Sequence, residues 1–200
     1  MTVEADPVRV ESRLVAGLLG CPGCPGVLRP WGWARPRRVN GIGDGLRPRR
    51  ARCGGCLVTH VLLPVTVLLR RAYAADVVGA ALSARAAGGG HRWVGLAIGV
   101  PAATVRGWLR VMAGRLAPAR TRLLQVAQLL QVAHRAGVDI TVPEALGCPW
   151  RDLLAALGAA TAAVTGRFGP VGVLGPVTGW QVAVACSSGR LLAPGWPRPG

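Results

Sequence analysis

Hydrophobic positions follow two different periods along this chain. Before about residue 70, short runs bounded by Gly and Pro predict strands at RPRRAR (47–52) and LVTHVLL (57–63), with VNGIGDG (39–45) as a turn between strands. After residue 70 the apolar positions recur every three or four residues, which predicts helices. The sequence therefore predicts an α+β, mostly α fold in which a small antiparallel sheet precedes several helices.

The first predicted helix lies in AYAADVVGAALSARAAGGG (72–90) and ends at the three glycines 88–90. The next stretch, HRWVGLAIGVPAATVRGWLRVMAGRL (91–116), is typical of a short helix, a tight turn and a longer helix. Gly99 suits the turn, and Pro101 has the fixed φ that is favoured at the first position of a helix. On the short helix, the residues expected to face inward are Val94, Ala97 and Ile98.

The longer helix has one apolar stripe at positions i, i+3, i+4 and i+7. Its members are Val105, Trp108, Leu109 and Met112. The opposite side carries small and basic residues, and a helix of that kind can enter the major groove of DNA. The pattern favours a helix-turn-helix over the alternative, a generic helical hairpin with a solvated basic face.

Beyond residue 116 the pattern predicts helices at 119–139 and 151–165. The apolar face of the first contains Leu123, Leu124, Ala127 and Leu130, and is widened by Val126 and Leu129. Such a face can pack against the helix-turn-helix, or against a second subunit to give a homodimer through residues 119–136, and these alternatives are equal. WQVAVAC (180–186) is strand-like.

Two Cys-x-x-Cys pairs, Cys21/Cys24 and Cys53/Cys56, lie in Gly/Pro turns that allow both thiolates of a pair to face one ion. The pairs are separated by 28 residues, more than the usual gap of about 15–20, and a β-excursion can account for the excess. Four thiolates make a closed tetrahedral site for Zn²⁺, which is structural rather than catalytic.

Other interpretations of the cysteines are weaker. A thioredoxin-like redox pair does not explain a matched second pair. His60 could replace one ligand, but with four thiols at hand it is expected to be a strand residue. Cys148 and Cys186 are expected to be buried thiols in a reducing compartment, with a disulfide between them as the alternative.

The formal charge is +16, and the chain contains Arg but no Lys. Eight Arg lie between residues 29 and 52, interleaved with Trp31 and Trp33. A chain this basic attracts polyanions, nucleic acid first and anionic membranes second. The two Trp side chains can stack on bases, but the favoured interpretation is that they cover a core too small to close by itself.

Membrane insertion and catalysis are both disfavoured. The longest apolar runs are about 13 residues, short of the roughly 18–20 that span a bilayer, and the acidic N-terminus does not have the polarity of a signal peptide. The sequence thus predicts a cytoplasmic protein without a membrane partner. The eight acids form no set at the ends of central strands, so the chain is expected to bind rather than to cut.

A resemblance rests on the motifs CPGC (21–24), RARCGGCLVTHVLLP (50–64), RRAY (70–73), GHRWVGLAIGVPAATVRGWLR (90–110) and GRLLAPGWP (189–197). With these, the chain resembles an uncharacterised actinobacterial family of zinc-ribbon plus helix-turn-helix proteins, similar to the N-terminal DNA-binding part of insertion-sequence transposases. The resemblance covers roughly residues 15–115 with good specificity and the rest weakly. It implies binding to double-stranded DNA as a transposon-associated or regulatory protein.

These considerations divide the chain into a flexible tail (1–14), a four-cysteine zinc ribbon (15–69), a helix-turn-helix (70–116), a helical C-terminal region (117–165) and a Gly/Pro-rich tail (166–200). The candidate DNA-binding residues are Ala102, Ala103, Thr104, Arg106, Arg110 and Arg92 in the helices, and Arg37, Arg38, Arg47, Arg49 and Arg50 in the ribbon.

Two functional hypotheses follow from the sequence. The first is a DNA-binding protein that acts as a transposon-associated or transcriptional regulator. The second is a truncated or accessory subunit of a mobile-element transposase that lacks the catalytic domain. An RNA-binding or protein-interaction ribbon is a weaker third.

Overall fold

The computed structural model describes residues 1–133, 142–172 and 175–197, and within them a small sheet precedes a body of helices. The strands are β1 (Thr2–Val3), β2 (Leu28–Trp33), β3 (Arg49–Cys53), β4 (Thr59–Pro64), β5 (Val171–Gly172) and β6 (Gly175–Pro176). The helices are α1 (Pro7–Val15), α2 (Ala75–Ala86), α3 (His91–Ile98), α4 (Ala102–Ala113), α5 (Leu116–Ala133), α6 (Pro149–Phe168) and α7 (Gly179–Cys186). The predicted α+β, mostly α fold class is confirmed.

The sheet has the strand order β1-β4-β3-β2, with β1 parallel to β4 and the other neighbours antiparallel. The predicted strand pair is therefore present as β3 and β4. Loop 39–45 lies between β2 and β3, but it also docks on α2. A Cβ atom at Gly41 would lie 2.7 Å from Val77, and Asn40 exchanges backbone hydrogen bonds with Ala72 and Ala74.

The prediction of a flexible tail over residues 1–14 is wrong. β1 adds to the edge of β4, and the side chain of Asp6 accepts a hydrogen bond from the amide of Val8 to cap α1. Val10 and Leu14, four residues apart on α1, are buried against the inner face of the sheet. Because the residues between them are polar, the sequence pattern does not indicate this helix.

The helices α2 to α7 share one hydrophobic core. Buried side chains from α2, α4, α5, α6 and α7 contact one another, so the helix-turn-helix segment and the residues that follow it are packed together. The C-terminal segment contributes Leu191 and Leu192 to the same core. The described residues from Leu68 onward are therefore one body, called here the helical body.

Helix α5 begins at Leu116, earlier than predicted, and its partner is α6 of the same chain. Leu123 and Ala127 are buried against it, whereas the side chain of Leu129 remains 66% exposed. Most of this face is thus covered within the chain, but by α6 and not by the helix-turn-helix that the intrachain alternative named. The homodimer stays a prediction, and residues 134–139 of the predicted helix lie outside the described residues.

The strand predicted at 180–186 is wrong, because these residues form α7. The side chain of Thr178 accepts a hydrogen bond from the amide of Gln181, which caps the helix. Packing on α2 then overrides the strand propensity, since a Cβ at Gly79 would lie 2.2 Å from the ring of Trp180. The description of 166–200 as a tail is wrong for its described residues, because α7 and the segment after it are buried in the helical body.

Two distant motifs meet in space. The amide of Leu69 donates to the carbonyl of Gly189, and the guanidinium of Arg71 donates to the carbonyl of Leu192. Arg115, which precedes α5, donates to the carbonyl of Leu191 at 2.8 Å. RRAY (70–73) and GRLLAPGWP (189–197) are therefore parts of one contact. Within the described residues, none of the helices is both long and apolar enough to span a membrane.

Candidate metal centre and nucleic-acid interface

The four cysteines of the two Cys-x-x-Cys pairs converge at one end of the sheet. The Sγ atoms of Cys24 and Cys53 are 3.4 Å apart, those of Cys21 and Cys56 are 3.7 Å apart, and all four lie within 4.8 Å of one another. A tetrahedral ion with bonds of about 2.3 Å separates its sulfur ligands by about 3.8 Å. The four side chains could therefore hold one metal ion.

Glycine makes this convergence possible. A Cβ at Gly26 would lie 2.7 Å from Sγ of Cys53 and 3.2 Å from Sγ of Cys24, so no larger residue fits there without displacement. Three sulfurs accept backbone amides two residues ahead in the chain, from Gly23, Gly26 and Gly55, at 3.3–3.5 Å. Such amides stabilise a thiolate over a thiol.

The thiols influence one another's ionisation. Hydrogen bonds from the amides of Cys56 and Gly55 lower the pKa of Cys53 to about 6, although burial opposes them. At Cys56 the amide of Val58 favours the thiolate, but bonds to neighbouring thiols and burial outweigh it and raise the pKa to about 11. One thiolate is thus favoured while a second is opposed, and a bound cation would remove that opposition.

Within the described residues, Cys148, Cys186 and His60 are not among the four converging ligands. Nε2 of His60 is 3.5 Å from Sγ of Cys21, so His60 is a neighbour of the four sulfurs. Cys148 and Cys186 are free thiols and half-buried, so the alternative of a disulfide between them is wrong. Burial raises the pKa of Cys186 to about 11.

Helices α3 and α4 are joined by a three-residue turn. Gly99 has φ +66°, the left-handed conformation that ends many helices, and the amide of Val100 donates back to the carbonyl of Gly95 at 2.9 Å. Pro101 lies one position before its predicted place and is the residue that precedes α4. The prediction that Ala97 faces inward is wrong, since Ala97 is exposed.

Gly95 takes the place expected for Ala97 in the contact between the two helices. A Cβ at Gly95 would lie 2.7 Å from the carbonyl oxygen of Val100 and 3.1 Å from Cα of Ala102. The backbones of α3 and α4 therefore approach more closely than any side chain would allow. A glycine inside a helix is an ambiguous signal in sequence, which is why this contact was not predicted.

Helix α4 has the predicted division between a buried and an exposed side. Val105, Trp108 and Met112 are at most 3% exposed, and Trp108 meets Tyr73 edge to face at 5.0 Å. On the other side Arg106 and Arg110 are exposed. The remaining candidates of this region are Ala102 and Thr104, half-buried, and Ala103 and Arg92, exposed.

Among the ribbon arginines, Arg49 is not available to a ligand. Its guanidinium forms a bidentate pair with the carboxylate of Glu11 at 2.6 and 2.9 Å and also donates to the carbonyl of Gly32. Its side chain is only 13% exposed. Arg49 therefore attaches α1 to the sheet, which disfavours the predicted phosphate contact, and that contact stays a prediction.

The other ribbon arginines differ in exposure. Arg38 and Arg47 are exposed and Arg50 is half-buried. Arg37 is also half-buried, and its backbone pairs with Leu46 across the loop. Within the described residues, Nε and Nη2 of Arg37 are buried without a hydrogen-bond partner. Arg38, Arg47 and Arg50 are thus the ribbon candidates that a ligand can reach most directly.

The interpretation of Trp31 and Trp33 as a cover for the core is wrong. The two side chains are 48% and 49% exposed, and the ribbon core is closed by α1 instead. Each ring carries an arginine, with Arg52 4.7 Å from the centre of Trp31 and Arg49 4.9 Å from that of Trp33. Alternating Arg and Trp in 29–52 was the sequence signal for these pairs.

Several carboxylates have structural contacts. Glu4 pairs with Arg9 and Arg13 on α1, while Asp76 accepts a hydrogen bond from the hydroxyl of Thr178. Asp152 accepts the amide of Leu146 ahead of α6. Each of these contacts is internal to the fold. Asp139 lies outside the described residues.

Comparison of the chain with protein-family models, with curated proteins and with solved structures finds no match.

Proposed function

We propose that this chain is a DNA-binding protein in which the four-cysteine site holds a structural Zn²⁺ and α4 reads bases in the major groove of a duplex. It would act as a transposon-associated or transcriptional regulator. The observation that carries the proposal is the division of α4 into a buried stripe and an opposite side with two exposed arginines. Helices of this kind, held by a tight turn against a preceding helix, are suited to base recognition.

The choice of zinc rests on the donor set. Four thiolates at tetrahedral spacing suit Zn²⁺ and leave no open position for a substrate. The close approach of Gly26 to the sulfurs of Cys24 and Cys53 supports a site that holds the fold together. A redox pair is less consistent with the geometry, because each cysteine pair lies against the other.

The proposal of a DNA duplex as the ligand rests on the net charge and on two arginines of α4 that pair with no carboxylate among the described residues. The formal charge is +16, and within the described residues neither Arg106 nor Arg110 pairs with a carboxylate. A guanidinium that is exposed and unpaired can bond to O6 and N7 of guanine. Arg38, Arg47 and Arg50 would meet phosphates.

A second candidate, an accessory subunit of a mobile-element transposase, is favoured by the resemblance and by the contacts of the carboxylates. Glu4, Glu11, Asp76 and Asp152 are each engaged in ion pairs or hydrogen bonds within the fold. A subunit of this kind would bind DNA and leave cutting to another chain. An adjacent reading frame that encodes an acidic triad, or flanking inverted repeats, would favour this candidate over a regulator.

The proposed function is tested by selecting bound sequences from a random duplex pool with zinc-loaded protein, then titrating variants against a selected and a scrambled duplex. Arg106→Ala and Arg110→Ala should reduce discrimination by about 1–3 kcal/mol each, because base contacts are lost, while much of the non-specific affinity remains. Arg47→Ala should weaken binding to both duplexes alike. Arg151→Ala, which removes an exposed arginine from α6, is the matched control.

The salt dependence provides a second measurement on the same complexes. If about six phosphates are neutralised, log affinity should fall with log salt at a slope near −5, and Arg47→Ala should make the slope shallower by about one. Equal losses on both duplexes for Arg106→Ala and Arg110→Ala would show that α4 does not read bases. A slope near zero, or tighter binding to anionic vesicles, would contradict DNA binding altogether.

A further inference from the structure

The outer face of the ribbon sheet is the side of β2, β3 and β4 that α1 does not cover. Residues directly opposite each other in an antiparallel pair share a face. Arg50 lies opposite Val61, and Arg52 lies opposite Thr59 on one side and Arg29 on the other. The inner face carries Ala51 and Cys53, which are buried against α1.

This outer face is basic and holds no carboxylate. The strand sequences LRPWGW, RRARC and THVLLP contain no Asp or Glu. Like charges directly opposite each other, as at Arg29 and Arg52, reduce the stability of a sheet. A polyanion bound across the face would remove that repulsion, so the charge pattern is complementary to phosphates.

The ring of Trp31 on the outer face is oriented by Arg52 and is accessible to a flat ligand. Nε of Arg52 donates to the carbonyl of Leu57 at 3.2 Å, which fixes the guanidinium 4.7 Å from the ring centre of Trp31. Trp31 remains 48% exposed. The ring is thus oriented by its arginine while about half of its surface stays free.

We propose that the outer face of the ribbon binds an unpaired nucleic-acid strand, with a base stacked on Trp31 and phosphates on Arg29, Arg50 and Arg52. A free aromatic face favours unpaired bases, because the bases of a duplex are already stacked on their neighbours. Exposed aromatic rings beside arginines are a common means of binding single strands. The inference rests on the proposed function and adds a second form of nucleic acid to the duplex read by α4.

The test measures the affinity of full-length, zinc-loaded protein for a labelled 20-nucleotide single strand and for the duplex of the same sequence. Trp31→Ala should raise the Kd for the single strand between about 5-fold and 150-fold, since that is the range of one base–aromatic stack. It should leave the Kd for the duplex unchanged. Trp31→Phe should restore most of the single-strand affinity, because it keeps an aromatic face.

Phe168→Ala is the matched control. Phe168 is 67% exposed at the end of α6 and has Arg167 5.1 Å from its ring centre, so it is an arginine–aromatic pair outside the ribbon. Its removal should change neither affinity. Unchanged zinc content in Trp31→Ala would show that the ribbon is still folded, as expected for a residue outside the ribbon core.

The possible outcomes separate this inference from the proposed function. Loss of single-strand affinity only in Trp31→Ala supports the inference. Equal losses for single strand and duplex, or single-strand binding that Trp31→Ala does not alter, would overturn it. Binding to the duplex without binding to the single strand would overturn the inference and leave the proposed function standing. If the protein binds neither the single strand nor the duplex, the inference and the proposed function are both overturned. The same holds if it binds anionic vesicles instead of nucleic acid and this binding depends on Trp31.

Discussion

The ribbon and the helical body keep their structures by different means. Among the described residues, the ribbon core contains seven buried hydrophobic residues, including Leu14, Leu28 and Leu62, whereas the core of the helical body contains 24. A core as small as that of the ribbon contributes little stability by itself, and small scaffolds are commonly held by a metal or by disulfides. Under the proposed function, the metal ion bound by the four cysteines supplies the stability that this small core lacks.

The two regions also use their arginines differently. In the ribbon, Arg49 is part of the structure through its pair with Glu11, whereas Arg52 lies over Trp31 on the outer face. In the helical body, Arg71 and Arg115 hold the C-terminal segment, while Arg106 and Arg110 on α4 are exposed. Net charge therefore overstates the number of arginines that a ligand can reach.

Removal of the metal should have the largest effect, because it should unfold the ribbon and leave the helical body folded. Because no preformed site exists in an unfolded ribbon, metal binding and folding are coupled, and apparent energies of about 10–16 kcal/mol are typical of small zinc domains. A chelator, or the substitution Cys53→Ser, should abolish amide protection in β3 and β4. Protection in α5 and α6 should remain, because their core does not include the cysteines of the site. Hydrogen exchange followed by mass spectrometry measures both regions in one sample.

Cys148→Ser provides the control for this experiment. It makes the same chemical change at a half-buried thiol outside the cluster, and it should leave zinc content and ribbon protection unchanged. Loss of protection in α5 and α6 on chelation would mean that the two regions form one cooperative unit. Full ribbon protection without metal would mean that the small core suffices.

The stability of the helical body should depend on the packing of its core and not on a metal. Trp108 is 3% exposed and contacts Tyr73, so Trp108→Ala should lower the free energy of unfolding by about 3–5 kcal/mol through lost burial and a cavity. Trp93→Ala removes the same side chain from a position that is 62% exposed and should cost less than about 0.5 kcal/mol. Urea unfolding followed by circular dichroism compares the two. Similar losses for both variants would contradict the assignment of Trp108 to the core.

The structure explains why some features could be predicted from the sequence and others could not. The cysteine pairs and the stripe on α4 depend on local spacing, and local spacing is visible in a sequence. The helix α7 and the order of residues 1–14 depend on distant partners, Gly79 for the first and β4 for the second. Tertiary contacts of this kind override propensity and polarity.

The site shows the same division. The four sulfurs follow from two local motifs, but the roles of Arg49 and Trp31 follow from strand register and from the position of α1. Arg49 differs from Arg47 in the sequence only by its place in an alternating run. Its side chain reaches Glu11, 38 residues earlier, because β3 presents alternate residues to α1. Register across a bulge in β2 was not visible in the pattern.

The smallest predicted effect concerns the attachment of α1 to the ribbon. The hydrogen bond from Arg49 lowers the pKa of Glu11 despite some burial, so the ionised carboxylate stabilises the fold. A lowered pKa gives a contribution that is complete above the pKa of the unfolded chain, about 4.3, and is lost only as pH falls through the folded value. Between pH 6 and 8, Glu11→Gln should therefore reduce ribbon stability by a constant amount. Solvent screens the half-exposed Glu11, so we expect about 1 kcal/mol.

Glu4→Gln is the comparison variant for this measurement, because Glu4 pairs with Arg9 and Arg13, whose side chains are 60% and 47% exposed. Pairs this exposed contribute little, and Glu4→Gln should change ribbon stability by less than about 0.5 kcal/mol. The measurement is the exchange rate of β3 amides in zinc-loaded protein at pH 6, 7 and 8. If Glu11→Gln and Glu4→Gln have equal effects, the bidentate pair does not attach α1 to the sheet. The ribbon would then depend on its metal and its small core alone.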